Sequence, residues 1–164
     1  MMHLFKIIVA ATGGTSAMTA YSYLVSETKD RNFEEPKLLG NMLYKLVQSN
    51  EKTAYSTGWL LHYAVGIFFT LIYQRLLYKQ RIYANVNNGF AVGLATGIFA
   101  AVVWRITFLL HPAPPIVDQR RFYSQLIIAH IIFGTVAILL LKGKVKYKSK
   151  KPHQIQPVIA QQER

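Results

Sequence analysis

The stretch "NGFAVGLATGIFAAVVWRITFLLHPAPP", residues 88–115, decides how the rest of the chain is read. From Asn88 to Leu110 it is almost wholly apolar, and its one charge is Arg105. At about 1.5 Å per residue a helix of this length crosses the ~30 Å of hydrocarbon in a bilayer. Gly89, Gly93 and Gly97 recur every four residues, and Ala101 follows. Small residues at this spacing let helix backbones approach closely in lipid, where apolar attraction between helices is lost. Pro112, Pro114 and Pro115 then end the helix, because proline cannot continue its hydrogen bonding.

Three further apolar segments flank this one, at roughly 4–25, 57–78 and 123–142. None alternates strictly, as barrel strands would, so four transmembrane helices are expected. The first, with "ATGGTSAMTA" at 11–20, reads as a retained helix and not a signal peptide. The expected fold is all-α, an integral membrane four-helix bundle. The domain covers residues 1–142, and residues 143–164 form a basic cytoplasmic tail. In the first outer loop, Pro36, Leu38, Leu39, Met42, Leu43, Leu46 and Val47 recur at helical spacing. They predict a short amphipathic helix over 36–49, on the outer membrane face or capping the bundle.

Composition agrees. Of the 164 residues 52% are hydrophobic and only 16% charged, below the quarter usual in soluble domains. The absence of cysteine excludes disulfides and thiolate metal centres. The net charge of +12 is concentrated beside apolar runs, which points to anionic lipid headgroups and topology and away from nucleic acid. Lys6, Arg75, Lys79, Arg81 and the lysines from Lys142 to Lys151 fall on one side, whereas loops 26–56 and 111–122 mix seven bases with six acids. The positive-inside rule therefore expects a multi-pass inner-membrane protein with both termini cytoplasmic.

Gly13 and Gly14, with Gly89, Gly93, Gly97, Gly66 and Gly134, are expected to pack helices. "HYAVG" at 62–66 matches "HIIFG" at 130–134, and "ATG" occurs at both 11–13 and 95–97, the pattern of a duplicated hairpin. His62, His130 and Arg105 would lie at a common depth, roughly 7–11 Å below the outer surface at 1.5 Å per residue. Arg105 and His111 are thus candidates for binding a polar ligand. In an up-down bundle His62 and His130 would face each other diagonally and serve as axial ligands of haem b, with Gly66 and Gly134 leaving room for the macrocycle. No acid lies within the four segments, so no metal site is expected there and a cation transporter is disfavoured. No catalytic motif is present.

The features "ATGGTSAMTAYSYLVS", "NFEEPKLL", "GWLLHYAVGIFFTLIY", "GFAVGLATGIFAAVVW", "FLLHPAPP" and "QLIIAHIIFG" touch most of residues 10–140. In layout and small-residue pattern they resemble the YagU-type group of small bacterial four-helix inner-membrane proteins. The resemblance implies a bacterial integral membrane protein without an assigned reaction, and it carries over no catalytic residue. Three roles follow as expectations. The first is a structural, accessory or polar-ligand-binding membrane protein, alone or in a larger complex. The others are a haem electron-transfer protein and a small transporter or channel, a homo-oligomer through the Gly89/Gly93/Gly97 face.

Overall fold

The structure, a computed structural model, describes residues 2–29, 33–47, 50–80 and 83–142; the basic tail lies outside these. The described residues form five helices and no strand: α1 (Met2–Lys29), α2 (Glu35–Val47), α3 (Glu51–Gln80), α4 (Val86–Leu110) and α5 (Gln119–Leu141). The long helices reach past the apolar runs because polar residues cap and extend them. Asn85 Oδ1 accepts the Asn88 N–H at 2.8 Å, and Asp118 Oδ1 accepts the Arg121 N–H at 3.2 Å.

Among the described residues, α3, α4 and α5 are long and apolar enough to cross a membrane. The sequence suggested four such segments. α1 has the length, 28 residues, but its threonines, serines and glycines leave it short of the same hydropathy.

α1 lies against α3 and α5, α5 against α4, and α2 against α3. α3 and α4 meet through side chains: the Phe69 and Phe99 rings are 6.3 Å apart, and the Tyr73 hydroxyl bonds Thr96 Oγ1 at 2.7 Å. The Thr96 hydrogen is committed to the Val92 carbonyl at 2.9 Å, so Tyr73 is the donor.

Glycine sets the closest approaches. A Cβ on Gly134 would stand 2.6 Å from Gly93 Cα, and one on Gly89 would stand 2.6 Å from Thr135 Cα. On Gly97 it would meet Ile127 Cα at 3.0 Å, and on Gly14 the Phe133 ring at 2.9 Å. The Gly89/Gly93/Gly97 face is therefore spent on α5 within the chain. Two glycines with no such role in the sequence, Gly40 and Gly58, let α2 cross α3: a Cβ on Gly58 would stand 2.7 Å from Gly40 N.

The mouth of the helical array is closed by aromatic and aliphatic packing. Phe33, Leu38 and Met42 join Ala100, Phe108, Phe122 and Leu126 in one buried cluster. The predicted amphipathic helix is thus a cap, with Leu38 and Met42 turned inward and Leu46 and Val47 exposed. Deeper in, Met18, Tyr73, Ala129, Phe133, Ala137 and Ile138 join α1, α3 and α5.

Gly93→Ala tests the α4–α5 contact. Its methyl would stand 2.5 Å from the His130 carbonyl oxygen and 2.7 Å from Ile131 Cα, both backbone atoms. Overpacking of this kind costs about 1–3 kcal/mol. A lowered melting temperature in mild detergent is expected; a wild-type value would contradict the contact.

Candidate functional site

Thr15, Thr19, Ser22 and Ser26 follow one another at helical spacing on α1, and all four are buried. Hydroxyls on a helix can return their hydrogen to the carbonyl one turn back. Thr19 does so to Thr15 at 2.8 Å and Ser26 to Ser22 at 2.7 Å. Each oxygen then still accepts. Thr19 Oγ1 takes a hydrogen from His62 Nε2 at 3.0 Å, and Ser26 Oγ takes the Phe33 N–H at 2.9 Å. The second bond ties α1 to the segment entering α2.

That segment delivers Glu35 into the interior, where it is only 3% exposed. Ser22 Oγ donates to Glu35 Oε1 at 3.1 Å and accepts from Gln125 Nε2 at 2.5 Å. Three helices, α1, α2 and α5, thus meet on one serine. Burial pushes the Glu35 carboxyl up to about 7, against the opposing pull of its backbone, Ser22 and Gln125 hydrogen bonds. From "EEP" at 34–36 the sequence sets Glu34 and Glu35 at the start of the short helix, since Pro36 suits a first turn, but the burial of Glu35 was not expected because it belongs to no apolar segment.

Beside this cluster a cleft of about 580 Å³ opens between α1, α2 and α3. Tyr23, Tyr55, Trp59 and Tyr63 form its aromatic wall, and Ser16 and Thr19 its polar floor. Trp59 stacks on Tyr63 with centroids 6.3 Å apart, and the Tyr63 hydroxyl lies 3.0 Å from Ser16 Oγ. At the rim Lys37 Nζ sits 2.5 Å from Glu34 Oε1 and 5.7 Å from the Tyr23 ring centroid. The cleft offers a mostly apolar, aromatic surface with a paired charge at one end.

The candidates drawn from the sequence separate. His62 and His130 both turn inward and lie within electrostatic range of each other, one half-buried and one buried. They do not fit haem b. His62 Nε2 is committed to Thr19, and the His130 ring, whose Nδ1–H donates to the Leu126 carbonyl at 2.9 Å, has Phe69 edge-on to it. The His130 bond alone would suit a ligand, so the misfit rests on His62 and on the lost space. The two glycines that were to make room are filled: Gly66 by the Thr15 hydroxyl of α1, Gly134 by the backbone of Gly93. They do share one role, since each admits the preceding helix of its pair. Arg105 is exposed on α4 and does not join a polar layer with the histidines.

His111 is a tether. Its Nε2–H donates to the Met42 carbonyl at 3.1 Å, and its Nδ1 accepts the Ala113 N–H at 3.1 Å, so both ring nitrogens are used. Lys45 Nζ adds a bond to the Ala113 carbonyl at 3.4 Å. The 111–118 loop is thereby strapped to α2, and both outer loops of the sequence reading meet at one end of the molecule.

His111→Ala removes the tether, two bonds worth about 0.5–1.5 kcal/mol each. Amide hydrogen exchange is expected to quicken in α2 and the 111–118 loop while α4 and α5 hold. Unchanged exchange in α2 would mean that its contact with α3 suffices.

No family model, curated protein or solved structure matches the chain, and the functional reading rests on the geometry described above.

Proposed function

We propose that the chain is a non-enzymatic integral membrane protein of the bacterial cytoplasmic membrane, loosely YagU-like. In this reading α1, α3, α4 and α5 span as a four-helix bundle, and both termini are cytoplasmic. α2 caps the outer end, and the cleft beside it takes an amphipathic molecule with a small polar head. One observation carries the reading: the polarity of the helices is inverted. Thr15, Thr19, Ser22, Ser26 and Thr70 and the glycines at the helix contacts face inward, whereas Leu60, Phe68, Ile106, Leu109 and Leu110 are all at least half exposed. Contiguous exposed apolar surface on this scale is foreign to a soluble monomer. α1 joins the set because it follows the same rule, with Leu4, Phe5 and Leu24 outside and its hydroxyl stripe inside. Its low hydropathy reflects groups that lipid would not touch.

The cleft supports the ligand part. Tyr and Trp suit the zone where apolar chains meet polar heads, and pockets that orient a ligand combine an apolar wall with a few polar groups. Arg105, placed near the outer end of α4, reaches the headgroup layer by extending its stem. A small transporter is a second reading, favoured by Glu35, which supplies the buried carboxyl that the apolar segments lack.

The test is the fluorescence of Trp59 in a Trp104→Phe variant reconstituted in vesicles. Lipids brominated in the outer part of the acyl chain are expected to quench Trp59 more than lipids brominated near the bilayer centre. Equal and weak quenching by both would sink the reading.

A further inference from the structure

We propose that Glu35, Ser22 and Gln125 form a proton-binding site that holds α2 across the outer end of the helices. The hydrogen bonds run one way: Gln125 donates to Ser22, and Ser22 donates its only hydrogen to Glu35 Oε1. Two acceptors are left over. Glu35 Oε2 and Gln125 Oε1 are both buried and have no hydrogen-bond partner, in side chains 3% and 4% exposed. A buried acceptor without a donor is costly, and a buried charge without a counter-charge costs more.

The surroundings do not repair the shortage. From α2 the charge that bears on the carboxyl is Glu34, which repels and is itself held by Lys37. α1 presents the Ser22 hydroxyl and α5 the Gln125 amide; among the described residues no charge on α1, α3, α4 or α5 bears on it. One proton on the carboxyl supplies what is missing. It cancels the charge and turns an orphan acceptor into a donor. The position of the carboxyl, raised from 4.5 to about 7, agrees with this. The inference does not depend on what occupies the cleft.

The sign of the effect follows. A carboxyl whose folded-state pKa is raised binds more protons folded than unfolded, so stability is fullest at or below about pH 4.5. It declines as pH rises to about 7 and is level beyond.

The experiment is thermal unfolding of the full chain in mild detergent across this range, for wild type and Glu35→Gln. The expected result is a melting temperature that falls with pH in wild type. It should not fall in E35Q, which should melt above wild type at alkaline pH. Parallel pH profiles would overturn the site. Recovery of wild-type stability at alkaline pH by sodium, but not by choline, would also overturn it in favour of a metal cation. Should E35Q not fold, Ser22→Ala keeps the test: it removes a bond that favours the carboxylate, so the midpoint of the pH step should move upward. An unmoved midpoint contradicts the proposal.

Discussion

The contact between Gly93 and Gly134 is the constraint on which the rest of the arrangement depends. It brings the backbones of α4 and α5 together with no side chain between them, and Gly89 and Gly97 extend the contact along the helix. In lipid, helices gain nothing by hiding apolar groups from one another, and association rests on close packing and hydrogen bonds. The other junctions follow the same rule, with Gly66 receiving Thr15 and Gly40 meeting Gly58. With the pairs so close, bulky side chains pack beside the contacts, some in the buried clusters and many on the outer surface.

Beside the apolar clusters the interior also holds hydroxyls and amides, which must find partners. Most do so at little cost, because a threonine or serine can bond the carbonyl one turn back. Glu35 cannot. The Ser22 hydroxyl, the nearby Gln125 amide and a position in the first turn of α2 favour its charged form, yet desolvation outweighs them. The charge stands where the cap meets the bundle, so the cap's hold and the protonation of this carboxyl are coupled by position.

Much of the fold was legible. The apolar runs gave α3, α4 and α5, and the glycine spacing marked the face of α4 that α5 occupies. The periodicity of Leu38 and Met42 gave α2. For Arg105, His62 and His130 the place along each helix was legible and the direction was not. Counting residues along a helix fixes how far in a group lies, whereas which way it points depends on the rotation of the helix against its neighbours. Arg105 therefore emerged on the outer surface. His111 read as a candidate for binding a polar ligand, but its bond to Met42 depends on where α2 lies, 69 residues away in sequence. Glu35 was the least legible. Pro36 sets it at the start of a helix, but its burial is decided by Ser22 and Gln125 on two other helices.

The measurement that tests the central claim most directly is labelling of single cysteines by a membrane-impermeant maleimide in intact cells. The chain has no cysteine of its own, so each introduced thiol reports alone. With the polarity inverted as described, Lys45→Cys on the cap labels from outside. Lys79→Cys, at the far end of α3, labels only after the membrane is opened, and Phe68→Cys midway along α3 resists in both conditions. Ready labelling of Phe68→Cys, or of Lys79→Cys in intact cells, would contradict a chain that turns its apolar surface to lipid with α2 outside.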